Sequence, residues 1–192
     1  DRLTGENVSV DEILGLLKTS ALKCNRKICT FEADPKIVFK MAVKRVSGLI
    51  LLDKCEEELD DSYLAYACYI GKTKYKNFKF AVEINVSEKN GRGVLSIITY
   101  SDEEAILTGF FTEIMEDLKE HIKVVEETEQ VITDGCPNCG RPIIPTKKYI
   151  INAEKGIIRC KACNSLIKIP KWKIKYIAKI KPSSFNFAII FQ

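Results

Sequence analysis

Two Cys-x-x-Cys pairs, Cys136-Pro-Asn-Cys139 and Cys160-Lys-Ala-Cys163, stand 20 residues apart in the last third of a 192-residue chain. Each pair puts two sulfurs on one tight turn, and the interval lets a hairpin bring the second turn back to the first. Thiolate is a soft ligand that matches Zn²⁺, whose filled d-shell accepts a tetrahedron without penalty. The spacing therefore predicts one Zn²⁺ per chain, held by Cys136, Cys139, Cys160 and Cys163, with a rubredoxin-type iron centre or a pair of disulfides as the alternatives. Gly140 and Asn164 follow the two pairs and suit the left-handed backbone such turns require. Between them, 148–152 and 156–159 read as a hairpin through 153–156. Four protein ligands fill the coordination sphere, so the metal is expected to be structural.

Charge divides at the same place. Residues 131–192 carry 12 Lys/Arg against 2 Asp/Glu, while residues 1–130 carry 18 against 24. The formal net charge of +4 conceals a basic end and an acidic body. The length and the short, Gly/Pro-poor connections predict two domains: an acidic α+β domain over 1–130 and a basic, metal-held domain with a C-terminal hairpin over 131–192. Half of the eight cysteines sit in metal-type pairs, which favours a reducing compartment over a secreted disulfide scaffold. Cys24, Cys29, Cys55 and Cys68 then read as buried small hydrophobes or free thiols. No apolar run approaches the roughly 18–20 residues of a membrane span, and the first residues lack a secretory pattern. The expectation is a soluble, cytoplasmic protein with no membrane partner.

Hydrophobic periodicity outlines the body. Ser9-x-x-Glu12 is a capping box ahead of a helix over about 10–19, and 24–32 follows as a strand. Asp34-Pro35 supplies an N-cap and first helical residue before Ile37, Val38, Met41 and Ala42. Strands over 47–58 and 62–71 are joined at 59–61. In 78–87, Phe78, Phe80, Val82, Ile84 and Val86 alternate with Lys79, Ala81, Glu83, Asn85 and Ser87, the pattern of a strand with one wet face. Asn90-Gly91 predicts a hairpin turn into a strand over 94–100. Ser101-x-x-Glu104 opens the longest helix, over about 102–127, with Leu107, Phe111, Ile114, Leu118, Ile122 and Val125 on its apolar face. The fold class is α+β: an antiparallel sheet with a long helix packed on it, then a Cys₄ zinc module and a basic hairpin.

Residues 133–169, with their two knuckles and intervening hairpin, resemble a zinc ribbon. The order strand, helix, four strands, long helix over 24–127 resembles the helix-grip arrangement of START-like ligand-binding domains, and equally one repeat of a TATA-binding-protein-like saddle. A helix-grip resemblance implies a small-ligand cavity between helix and sheet.

After Pro170 the chain alternates Lys171, Lys173, Lys175, Lys179 and Lys181 with Trp172, Ile174, Tyr176, Ala178 and Ile180, so a strand there has one cationic face. Such lysines can simply guard a sheet edge. However, Arg141, Lys147, Lys148, Arg159, Lys161 and Lys168 add to the same region, and a field of that sign attracts phosphates. The candidate nucleic-acid contacts are Arg141, Lys147, Lys148, Lys161, Lys171, Lys173, Lys175, Lys179 and Lys181, with DNA and RNA both open. Tyr149 is a candidate for stacking on bases. His121, the only histidine, reads as a surface residue, and the acidic runs 56–58, 60–61 and 102–104 as solvated ends of elements. No nucleotide-binding loop or nucleophile motif is present, so the chain reads as a non-enzymatic accessory factor of transcription, replication or RNA processing. In that reading the acidic domain binds a protein partner. The alternatives are an interaction subunit of a larger complex and a small-ligand-binding protein.

Overall fold

A computed structural model describes residues 2–130, 135–143, 147–170 and 172. Its main body is a seven-stranded antiparallel sheet. β1 (Leu3–Thr4) is followed by α1 (Val10–Lys18), β2 (Lys23–Glu32) and α2 (Pro35–Lys44). A meander then runs through β3 (Ile50–Leu59), β4 (Ser62–Thr73), β5 (Lys79–Lys89) and β6 (Arg92–Ser101). α3 (Glu104–His121) and β7 (Lys123–Gln130) complete the body. β1 and β3 share one edge of β4, and the order continues β4-β5-β6-β2-β7.

Local chemistry explains most of these elements. The Ser9 hydroxyl accepts from the Glu12 amide, and the Asp34 carboxylate accepts from Lys36 with Pro35 in the first turn, so two helices begin where their caps are written. Asn90 and Gly91 both have positive φ, 53° and 78°, as a tight hairpin with matching twist requires.

One face of the sheet packs under α2 and α3. Phe31, Phe80, Val82, Ile84, Leu95 and Ile97 meet Val38, Phe39, Phe110, Ile114 and Leu118 in the largest core cluster. Phe80 and Phe110 approach at 5.2 Å between ring centroids. Side chains of α2, α3 and the sheet thus pack directly on one another in this core.

Three expectations are corrected. The long helix does not reach 127: Ile122 turns extended (φ −134°, ψ 158°), and Lys123–Gln130 becomes an outer strand antiparallel to β2. Acidic Glu126 and Glu127 would oppose the dipole at a helix C-terminus, whereas adjacent Val124 and Val125 suit a strand, and pairing satisfies the second edge of β2. Val125 is accordingly exposed on a strand rather than buried on a helix. Ser101 is not the cap of α3 either; it ends β6, and its hydroxyl accepts from the Glu103 amide one residue ahead of the helix. Finally, β5 has no wet face: Glu83, Asn85 and Ser87 are each 2 % exposed or less. α1 covers one end of that face, where Ile13 and Leu17 join Ile70, Ala81 and Tyr100. The cysteine-bearing segment covers the rest.

Candidate metal centre

The segment after β7 folds on a small three-stranded sheet. β8 (Ile150–Asn152), β9 (Ile157–Arg159) and β10 (Leu166–Lys168) lie in the order β10-β9-β8, preceded by a 3₁₀ turn over Lys147–Tyr149. The hairpin through 153–156 is as expected; β10 is additional.

The two knuckles have the same hydrogen-bond plan. Gly140 N–H donates to the Cys136 carbonyl at 2.8 Å, and Cys136 N–H to the Arg141 carbonyl at 2.8 Å. In the second knuckle Asn164 N–H donates to the Cys160 carbonyl at 2.8 Å, and Cys160 N–H to the Ser165 carbonyl at 2.9 Å. Gly140 (φ 73°) and Asn164 (φ 64°) hold the left-handed positions that close the loops.

These turns bring the four sulfurs within 4.8 Å of one another. Cys136 and Cys163 Sγ are 3.7 Å apart, and Cys139 and Cys160 Sγ 3.8 Å. A tetrahedron with metal–sulfur bonds of about 2.3 Å has edges of about 3.8 Å, whereas a disulfide needs about 2.05 Å. The cluster matches one metal ion, and all eight cysteines are free thiols. Cys136 is fully buried and Cys160 nearly so, with Ile158, Ile167 and Ile169 packed around them. Without a cation such crowding disfavours several thiolates at once: the Cys136 thiol is pushed up, first by its hydrogen bond with Cys163 and then by burial, while Cys163 is driven down by the same contact. A cation relieves this by replacing the shared protons.

The knuckles are built into the body. Arg26 on β2, 2 % exposed, donates Nη1 to the Cys136 carbonyl at 2.5 Å. Ser96 Oγ donates to the Pro137 carbonyl at 3.1 Å, and Asn138 Nδ2 to Ser87 Oγ at 2.8 Å. Strand register sets Arg26, Ile98, Glu83 and Cys68 side by side across four strands, on one face. Glu83, within that row, accepts from Tyr66 at 2.6 Å and Tyr100 at 2.8 Å. Ile157 and Leu166 fill the apolar part of the contact against Cys55, Leu64, Tyr66 and Cys68.

The basic residues of this segment divide into two groups. Lys155 reaches Glu57 at 3.5 Å and the Glu56 carbonyl at 3.2 Å, and Arg159 reaches Asp61 at 3.6 Å and Ser62 Oγ at 3.0 Å. Lys168, buried, pairs with Asp53 at 3.4 Å and donates to the Lys155 carbonyl. Arg159 and Lys168 therefore do not add to an outward cationic surface; with Lys155 they hold the segment to the β3 edge. The side chains of Glu57 and Asp61 and the Glu56 carbonyl serve this docking, whereas Glu58 stays exposed, as expected, and pairs with Lys36 of α2. Arg141, Lys148 and Lys161 are exposed and form no ion pair among the described residues. Lys148 lies 5.7 Å from the half-buried Tyr149 ring. Lys147 starts the 3₁₀ turn. Lys171, Lys173, Lys175, Lys179 and Lys181, and the hairpin expected to carry them, lie outside the described residues.

Arg26, Asn138, Ser87 and Ser96 are site residues that motif reading missed. Their available signal was polarity on alternate positions of β2, β5 and β6, which is compatible with solvent as readily as with a docked module. On the same side, an open groove of about 710 Å³ runs between α1 and β3, lined by Leu14, Leu52 and Trp172 together with Lys18, Lys54 and Lys155. His121 is exposed at the end of α3. Among the described residues no helix is long and apolar enough to cross a membrane. No protein-family model and no curated protein matches this chain.

Proposed function

We propose that the protein is a zinc-stabilised, non-enzymatic accessory factor that binds nucleic acid through its cysteine module. The carrying observation is a closed four-sulfur cluster in a segment that also exposes Arg141, Lys148 and Lys161. Four thiolates leave no coordination position for substrate or water, so the ion has a structural role, and Zn²⁺ is the ion that tetrahedral thiolate favours. One Zn²⁺ per chain is expected by elemental analysis of the purified protein. Eight cysteines, none of them in a disulfide, support a reducing, cytoplasmic setting.

The test is binding of the full chain to labelled single-stranded and duplex DNA and RNA across a salt series. Each phosphate contact lowers the log–log salt slope by about 0.9 for duplex and about 0.7 for single strands. The variant R141E/K148E/K161E should bind more weakly at low salt and lose about 2–3 from the slope magnitude. Replacing Lys171, Lys173, Lys175, Lys179 and Lys181 by Ala should reduce it further. Undetectable binding of the native chain at low salt removes the reading.

A second reading, an interaction subunit, has its own observation. Lys155, Arg159 and Lys168 already meet an acidic surface within the molecule, which supports pairing of the module's other cations with acidic protein. Copurification of a defined acidic partner without nucleic acid favours that reading.

A further inference from the structure

The face of β5 that the module covers alternates like a solvent face, yet Glu83, Asn85 and Ser87 lie under it. At the first knuckle the contacts across the junction are polar: Arg26 to the Cys136 carbonyl, Ser96 to the Pro137 carbonyl, and Asn138 to Ser87. Asn85 Oδ1 and Asn138 Oδ1 are buried there without a partner among the described residues. Permanent interfaces resemble a core cut in half, whereas this one leaves two acceptors without a partner among the described residues, and the described apolar part is small: Ile151, Ile157 and Leu166 at one place and Trp172 at another. The rim pairs Lys155–Glu57 and Arg159–Asp61 are partly exposed and contribute little.

What positions the contacts is the first knuckle itself. The Cys136 and Pro137 carbonyls and the Asn138 amide all belong to the Cys136–Cys139 loop, whose two sulfurs are half of the four-sulfur cluster that the proposed ion would hold together. By contrast, among the described residues the core beneath α2 and α3 uses none from the module.

We propose that the cysteine module is a metal-controlled cover. With the ion bound it seats on the sheet; when the ion is removed it leaves, baring the polar face around Arg26, Asn85 and Ser87, while the sheet and its α2–α3 layer stay folded. This rests on the metal reading above.

The chain carries its own reporters. Cys68 (0 % exposed) and Cys55 (9 %) lie under Ile157 and Leu166, and Cys29 (0 %) lies in the α2–α3 core. The full protein, its metal content first measured, is pulsed with a maleimide at neutral pH with and without a strong zinc chelator, and each cysteine is quantified by peptide mass spectrometry. Chelation should raise labelling of Cys55 and Cys68 by more than about tenfold together with the four ligands, and leave Cys29 unchanged. Labelling confined to the four ligands overturns the cover, because the knuckles would then loosen without departing. Labelling of Cys29 in step with Cys68 overturns it too, because the whole body would be unfolding. A protein that holds its ion but keeps Cys68 protected after chelation refutes the cover alone. One that holds no ion and still protects Cys68 refutes both readings.

Discussion

Replacing Arg26 by Met should weaken zinc binding although Arg26 is not a ligand. The guanidinium is 2 % exposed and donates to the Cys136 carbonyl. Burial lowers its pKa, and the nearby sulfurs of Cys136, Cys139 and Cys24 pull it back up, which places a retained positive charge beside the cluster. Met preserves much of the apolar stem and removes both the charge and the donor. A hydrogen bond from a charged group contributes about 1.5–3 kcal/mol, and its loss leaves the Cys136 carbonyl with the Gly140 amide as its remaining donor among the described residues. Zn²⁺ with four thiolates carries a net charge of about −2, whereas the metal-free cluster is partly protonated, so the cost falls mainly on the metal-bound state. At about 1.4 kcal/mol per factor of ten, affinity should fall by about 10- to 150-fold. That range agrees with the roughly 10- to 100-fold typical of losing a group that orients a ligand. The assay is competition against a chromophoric zinc chelator, with thermal melts confirming that the variant body is folded. Arg26→Lys should fall between, since it keeps the charge but not the fork. A folded Arg26→Met protein whose affinity lies within about twofold of native would refute the reasoning.

Two further outcomes follow from other parts of the molecule. At Gly135 an added Cβ would stand 2.4 Å from the Gly140 carbonyl oxygen and 2.9 Å from that of Arg141, both backbone atoms. Gly135→Ala should therefore open the first knuckle and cost at least about 1–3 kcal/mol, seen as reduced zinc retention under competition; native retention would show that the loop can yield. Alkaline pH is the other. Burial pushes the Cys29 thiol from 9.0 up to about 12 and the Cys55 thiol up to about 11, and it raises Tyr66 and Tyr100 well above 10.0, with Glu83 adding to both tyrosines. The folded chain keeps these protons after the unfolded chain has released them, so this stabilisation is complete below about pH 9 and is lost as pH rises through the folded values. The melting temperature should hold from pH 7 to about 9, then fall toward about 12, less steeply in Cys29→Ala. An unchanged melting temperature at pH 11 would contradict this.

How much could be read in advance depends on the range of the interaction concerned. Caps act within four residues, so Ser9, Asp34 and Pro35 marked two helices. The turn at Asn90-Gly91 and the left-handed positions Gly140 and Asn164 were legible for the same reason. The end of α3 was not, because Val124 and Val125 continue a helical spacing as well as a strand, and only the free edge of β2 decides between them.

The chain by itself determined the four-cysteine cluster that can hold a metal and the two-signed charge pattern, since ligand chemistry and spacing are local properties of Cys136–Cys139 and Cys160–Cys163. Tertiary structure alone decided that Lys155 and Lys168 turn inward on β3 and Arg159 on the turn from β3 to β4, and that Arg26, Ser87 and Ser96 meet a knuckle more than 40 residues away in sequence instead of water. The physical reason is that alternation along a strand tells which side chains share a face, but not what lies against it; a polar face looks the same whether its hydrogen bonds go to solvent or to a docked loop.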